Sequence, residues 1–355
     1  MLATQALLFY TRPGFEKDLA AELQHSITDP ACAGYVKASQ DTGYINYVLH
    51  QPVDAEQLSQ AYQLQRLVFA RQGFMLFQQL NELPQQNRLE PILDSLQQMG
   101  IQFYHISLDM PDTNDGKSLS GFFKKFHKPL QVALENSGLL DKTSPWQCHL
   151  FFTDSSQVSI GISHKTNTSP WHLGIPRLRM PAEAPSRSTL KLEEAILTLL
   201  SPHEQDTLLR SGMTAVDLGA APGGWTWQLV QRHMHVIAID NGPMAQSLMD
   251  TGQVKHQRAD GFKYQPARPV DWLVCDMVER PLHIARLISR WIVEGWAGNA
   301  IFNLKLPMKQ RYKTVDECHE LIFQKLDEHG IQAQLRMKQL YHDREEITCV
   351  ILRSK

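Results

Sequence analysis

The sequence predicts an α/β protein: a doubly wound, Rossmann-like sheet in the C-terminal half, preceded by a mixed α+β region. Three observations carry this. From about residue 187, strand-like and helix-like segments alternate, the pattern of parallel strands with helices on both faces. Between the first of these strands and the next helix stands a glycine-rich turn, "GAAPGG" at residues 219–224, of the kind that lets a ligand approach the backbone. Upstream, Pro170, Pro176, Pro181 and Pro185 recur among polar and basic residues in the stretch 164–186. Prolines at that density break regular structure and mark a connector between domains. A chain of 355 residues also exceeds what one core usually serves, about 200 residues.

The elements follow in order. "ALLFYTRPGFEKDLAAEL" (6–23) reads as a strand, a turn at Pro13-Gly14, and a helix with Phe15, Leu19, Ala20 and Leu23 on its apolar face. Segments 43–50 and 66–80 read as strands, the first alternating and the second nearly continuous. A helix over 88–100 ends at Gly100, a strand covers 103–112, a helix over 117–138 is closed by Gly138, and 146–163 form a hairpin around Asp154-Ser155-Ser156.

Beyond the connector, a helix over 189–200 leads to a strand over 214–220 and a helix over 225–233. A strand over 235–240, a helix over 244–250 and a short strand ending at Asp260 come next. The series closes with a strand (270–277), a helix (282–296), a strand (300–306), a helix (315–330) and two last strands. In such sheets ligands bind at the carboxyl ends of the strands.

Composition narrows the possibilities. With 43% hydrophobic and 20% charged residues the chain is globular, and a net charge of −2 means that any nucleic acid must be met by local basic patches. Five scattered cysteines, Cys32, Cys148, Cys275, Cys318 and Cys349, with no CxxC pair, point to a reducing, cytoplasmic setting and to no thiolate metal site. No HxxxH or HExxH pair appears, so no metal is expected. The N-terminus lacks the basic and apolar regions of a signal peptide, and no apolar run approaches the ~20 residues of a membrane span.

The turn itself selects among ligands. A phosphate loop requires GxxxxGK[ST], and no Lys-Ser/Thr pair follows Gly224. The dinucleotide fingerprint GxGxxG fails too, because Gly219, Gly223 and Gly224 are spaced G-x-x-x-G-G. What remains is Asp217 before the turn, Asp240 at the end of the next strand, where a carboxylate accepts both hydroxyls of a ribose, and Asp260 after that, suited to an adenine amino group. Each acid alone also suits a helix cap. Together they point to adenosine without pyrophosphate, as in S-adenosylmethionine.

The turn "VDLGAAPGGW", with "SRSTLKLEEA" before it and "LVCDM", "FNLKLP" and "DREEITCVIL" after it, resembles the FtsJ-like 2′-O-ribose methyltransferases and, within them, the bacterial enzymes that modify a cytidine of 23S ribosomal RNA. The likeness extends over the whole chain. In the N-terminal half, "FYTRPGFEKDLAAEL" and "GKSLSGFFKKFHKPL" are similar to the ferredoxin-like and THUMP modules of RNA-modifying enzymes. The resemblance implies a ferredoxin-like module over 1–52, a THUMP-like module over 53–163, the linker 164–186 and a methyltransferase domain over 187–355. It implies a catalytic tetrad of Lys191, Asp276, Lys305 and Glu346, with Glu345 and His342 as neighbours competing for the last place. It also adds Ser188, Ala221, Pro222, Trp225 and Asp276 to the cofactor residues Asp217, Gly219, Gly223, Gly224, Asp240 and Asp260.

These residue types suit the chemistry. A ribose hydroxyl is a poor nucleophile, so alignment and a base are the main requirements. A lysine serves as base only when neutral; a neighbouring ammonium and burial favour that state, and carboxylates oppose it. Lysines usually end as solvated surface cations. Lys305 departs from that pattern by lying in an otherwise apolar strand. Lys124, Lys125 and Lys128 among three phenylalanines, with Lys165, Arg177, Arg179 and Arg187 in and after the connector, suit RNA phosphates and stacked bases. A solvated basic helix face explains the first cluster equally well. Two other functions stay open: methylation of a base or protein, although the Asn/Asp-Pro-Pro-aromatic motif of base-amino enzymes is absent from "DMVERP", and RNA binding without catalysis.

Overall fold

A computed structural model describes residues 2–354, which divide into two compact units, one up to Ile175 and one from Pro176 onward. The first unit holds β1 (Ala3–Tyr10), α1 (Glu16–Ser26), β2 (Gly34–Ala38), β3 (Tyr44–Asp54), α2 (Ala55–Ala61) and β4 (Gln72–Leu80). It continues with α3 (Leu89–Gln98), β5 (His105–Asp109), α4 (Asn114–Ser118), α5 (Ser120–Ser137), β6 (Trp146–Asp154) and β7 (Gln157–His164). All seven strands join one sheet in the order β2-β3-β1-β4-β7-β6-β5, antiparallel except where β5 meets β6.

Two sequence expectations shift here. A division after residue 52 falls inside β3, and β4 pairs directly with β1, so the first module of the sheet is not complete before residue 80. The apolar run 66–80 is a strand only from Gln72. Before it, the buried Glu22 carboxylate accepts the backbone N–H groups of Val68 and Phe69, so these donors are satisfied without a ladder. The connector is anchored at its start. Asn167 is buried, accepts from Leu64 N at 2.7 Å and donates to Tyr62 O at 2.9 Å, which ties this part of the chain into the first unit.

The second unit holds α6 (Thr189–Leu199), α7 (Pro202–Leu208), β8 (Thr214–Leu218), α8 (Gly224–Val230), β9 (His235–Ile239), α9 (Gln246–Met249) and β10 (Val254–Gln257). It continues with β11 (Val270–Cys275), α10 (Pro281–Val293), β12 (Ala297–Lys305), α11 (Arg311–Asp327), β13 (Ala333–Lys338) and β14 (Glu346–Arg353). The sheet order is β10-β9-β8-β11-β12-β14-β13, parallel from β10 to β12, with β14 antiparallel to both of its neighbours. Helix α10 packs Ile284, Leu287, Ile288 and Trp291 inward at helical spacing. Asp260 lies three residues past β10, in a turn rather than on the strand. The order reverses between β8 and β11, and that switch point is where a sheet of this kind opens a crevice for ligand.

Candidate active site

The turn after β8 reverses the chain tightly and delivers α8. Gly223 has φ of +116°, a conformation costly for other residues, and a Cβ there would also strike Leu248. A Cβ on Gly224 would collide with the hydroxyls of Ser188 and Ser186. Both glycines therefore serve packing of the turn; neither faces the open space beside it.

That space consists of two adjoining cavities. One, about 270 Å³, is lined by Ser188, Asp217, Gly219, Ala221, Pro222, Trp225 and Asp276, together with Ser186, which sequence reading missed. The other, about 470 Å³, is lined by Asp240 and Asp260, with Ala259, Phe262 and Met277 also unforeseen. Gly219, Ala221 and Asp276 border both, so the pair suits one elongated ligand with two chemically different halves. An adenosine beside Asp240 and Asp260, and an amino-acid moiety beside Ser188 and Asp217, fit this division.

The acids differ in what they have left to give. Asp240 accepts from Ala221 N at 3.0 Å and Gly242 N at 2.7 Å, so it already braces the turn, and it also lines the larger cavity. Asp260 is half exposed and accepts from Phe262 N at 2.9 Å. Asp217 is buried and accepts the Thr226 hydroxyl at 2.6 Å. Burial pushes its carboxyl up to about 7, the Thr226 hydrogen bond resisting and the Asp276 charge adding to the rise.

Asp276, directly after β11, connects the two cavities to a cluster of charges. Lys305 Nζ, at the end of β12, lies 2.7 Å from Asp276 Oδ1 and also contacts Glu346 Oε2 closely. Lys191 Nζ, on α6, lies 3.2 Å from Asp276 Oδ2 and 3.0 Å from Glu346 Oε1. The two carboxylates thus bridge the two lysines. Glu346 is the residue that joins them: Glu345 instead pairs with Arg311 at 3.2 Å, and His342 Nδ1 pairs with Glu194 at 2.6 Å.

Two participants escaped the sequence. Asn303, fully buried on β12, donates through Nδ2 to Asp276 at 2.9 Å and Glu346 at 3.0 Å, while its own Oδ1 accepts from Thr348 at 2.7 Å. Asp343 stands 2.8 Å from Lys191 Nζ. Burial alone would lower Lys191, but Asp276, Glu346 and Asp343 outweigh it and hold this lysine well above its ordinary value. Burial raises Glu346, Asp276 repulsion adds to the rise, and the two lysines oppose it. Val278 and Met308 project almost fully into solvent from the loops after β11 and β12. The only sequence hint of Asn303 was its place two residues before Lys305, on the same face of the strand.

The basic residues are exposed throughout. Lys124, Lys125 and Lys128 stand on α5 and Lys165 follows β7 in the first unit, whereas Arg177, Arg179 and Arg187 belong to the second. Arg177 lies over the Tyr341 ring, 4.6 Å from its centre. Among the described residues, no helix is long and apolar enough to cross a membrane.

Comparison with known proteins identifies the family. Residues 4–74 match the RlmM ferredoxin-like domain, 87–164 the N-terminal region of ribosomal RNA large subunit methyltransferase M, and 184–330 the FtsJ-like methyltransferase family. The ribosomal RNA large subunit methyltransferase M of Azoarcus sp. is 47% identical over 99% of this chain and 97% of its own length. That of Edwardsiella ictaluri is 48% identical over 98% and 94%. Among solved structures, TrmN from Thermus thermophilus covers 99% of this chain and 100% of its own at 14% identity, with a TM-score of 0.35 that adds nothing to the assignment. With the S-adenosylmethionine-type crevice, the bridged lysines and full-length relatives at this identity, the chain belongs to the ribosomal RNA large subunit methyltransferase M family of S-adenosylmethionine-dependent enzymes.

Proposed function

We propose that this enzyme methylates the ribose 2′-hydroxyl of a cytidine in 23S ribosomal RNA, in the cytoplasm, with Lys305 as general base. The observation that supports this most is the pair of lysines bridged by Asp276 and Glu346 beside the cofactor crevice. When bound, S-adenosylmethionine supplies a methyl group already activated on a sulfonium. The protein's own task is to hold the hydroxyl in line and take its proton.

Lys191 and Lys305 divide that task. Lys191 touches three carboxylates and stays cationic. Lys305 touches two and its side chain is more exposed, 23% against 14%, so it is the lysine more accessible to an incoming hydroxyl. Neutral Lys305 Nζ then accepts the hydroxyl proton, with Asp276 and Glu346 fixing its direction. Ser188, Asp217, Gly219, Ala221, Pro222, Trp225, Asp240 and Asp260 would hold the cofactor, and Gly223 and Gly224 would shape the turn. Val278 and Met308 offer apolar contact to the target nucleoside. Lys124, Lys125, Lys128, Lys165, Arg177, Arg179 and Arg187 would meet RNA phosphates, the first four from a THUMP-like region.

Methylation of a base has less support, because residues 276–281 after β11 read Asp-Met-Val-Glu-Arg-Pro, without the Pro-Pro-aromatic group of base-amino enzymes. The deciding experiment is transfer of labelled methyl to 23S RNA followed by alkaline hydrolysis. A 2′-O-methyl group removes the internal nucleophile and leaves an uncut phosphodiester, whereas a methylated base leaves the ladder unbroken and overturns the assignment.

A further inference from the structure

A cavity of about 940 Å³, larger than either cofactor cavity, lies in the first unit and takes no part in the chemistry above. Its volume falls within the roughly 300–1,000 Å³ of sites that hold small organic ligands. One wall is the face of α5 that carries Phe123, His127, Leu130, Gln131 and Leu134 at helical spacing. β5 with the residue before it forms a second wall, and residues 169–173 a third.

The lining has a distinct chemistry. Six flat rings border it: Tyr104, His105, Phe123, His127, Trp171 and His172. Three glutamines, Gln72, Gln131 and Gln147, also line it. Among the described residues, no lysine or arginine lines it, so it offers a phosphate no fixed positive charge inside. The cations stand next door: Lys124 and Lys128 each follow a lining residue of α5 by one position and are exposed. A quarter turn of helix thus separates an aromatic, amide-bearing interior from a basic rim.

The buried Asp109 organises the wall. It accepts the Tyr10 hydroxyl at 3.0 Å, and its other oxygen lies 3.1 Å from His172 Nδ1, close but not aligned as a hydrogen bond. His172 is 55% exposed at the cavity's edge, and this contact turns its Nε2 away from Asp109. His149, fully buried behind, stacks on Phe74 and pairs with the Ser163 hydroxyl at 2.7 Å, so it belongs to the framework.

We propose that this cavity takes an unpaired nucleobase from a single-stranded segment of RNA, while Lys124 and Lys128 meet the flanking phosphates. A base is flat, uncharged and edged with amide-like donors and acceptors, which matches the rings and glutamines. Its phosphates are anionic and match the rim. A base paired within a duplex presents no free face and does not enter. The proposal rests on RNA being the substrate of this enzyme, but on no feature of the methyl-transfer site.

The test titrates the full chain with a short fluorescent single-stranded RNA, and with the same RNA carrying abasic riboses, over a series of salt concentrations. The base-bearing RNA is expected to bind at least tenfold more tightly at every salt concentration. Trp171→Ala and His127→Ala are expected to erase that difference without changing the salt slope. Lys124→Gln with Lys128→Gln should lower the slope, by about 0.7 for each phosphate no longer neutralised, and keep the preference for bases. Equal binding of the two RNAs by the wild type overturns the proposal, and needs no variant to fold. Undiminished preference in a folded His127→Ala, Trp171→Ala double variant overturns it as well. Methyl transfer to ribosomal RNA is measured alongside, because its absence in the wild type strikes at the functional reading and not at the cavity.

Discussion

Lys305 and Glu346 are partners in one antiparallel ladder, the last residue of β12 standing opposite the first residue of β14. The ladder brings an ammonium and a carboxylate together across some forty residues of sequence without depending on a flexible loop. Asn303 and Thr348 repeat the pairing one step inward on the same face, and their side chains hydrogen-bond at 2.7 Å. The Lys305–Glu346 half of the charged cluster is thus an extension of the strand register, to which α6 adds Lys191 and the turn after β11 adds Asp276.

Lys305→Ala is expected to lower methyl transfer by about 10²–10⁴-fold, the usual cost of losing a general base. Cofactor affinity should persist, because Lys305 lines neither cofactor cavity. Single-turnover rates and calorimetry on the same preparation separate the two. Turnover within a few-fold of wild type removes Lys305 from the mechanism.

Asn303→Ala removes the amide that steadies both Asp276 and Glu346. Hydrogen bonds to charged groups are worth about 1.5–3 kcal/mol, so turnover should fall roughly 10- to 100-fold. The KM for S-adenosylmethionine should change little while the pH–rate profile moves. A loss confined to thermal stability, with an unmoved profile, assigns Asn303 to the core alone.

Asp240→Ala should weaken S-adenosylmethionine binding by about tenfold or more, since a charged acceptor for the ribose disappears. Asp240 also holds Ala221 N and Gly242 N, so the melting temperature should drop as well. Calorimetry that returns an unchanged dissociation constant would show that bracing the turn is its sole role.

The raised carboxyl of Asp217 predicts a pH-dependent stability. A carboxyl that stands near 3.8 when unfolded and about 7 when folded favours the folded state at low pH, and that contribution drains away as pH rises through about 7. Asp217→Asn should therefore gain on the wild type in melting temperature between pH 5 and pH 8. Parallel melting curves for the two proteins across that range would refute the assignment.

Residues 176–355 should fold without the first unit, since they own a complete sheet and core. This fragment should bind S-adenosylmethionine and lose most RNA affinity, because Lys124, Lys125, Lys128 and Lys165 stay behind. RNA methylation equal to that of the full chain would show that the first unit does not recognise RNA.

The sequence was most readable where one residue contradicted its surroundings. Lys305 in an apolar strand, and glycines at a spacing fit for neither phosphate loop nor dinucleotide, each called for an explanation that the structure then localised. Asn303 and Asp343 gave no such contrast: an asparagine inside a strand and an acid in a polar loop are ordinary until register and folding bring them to the lysines. Backbone satisfaction hid other features. The apolar run before Gln72 looks like strand, and only the distant Glu22 shows why it is not. The glycines misled in the opposite sense, since Gly223 and Gly224 make room for neighbouring side chains.

The placement of β14 bears on how this enzyme is made. It lies between β12 and β13 yet follows both in the chain, so a ribosome delivers the two flanking strands before the one that separates them. Until then β12 has an open edge and Lys305 lacks Glu346. A nascent chain can close its glycine turn early, but it brings Lys305 and Glu346 together only when β14 inserts. The lysine–carboxylate cluster is thus completed last, and a chain that stops short of β14 lacks Glu346.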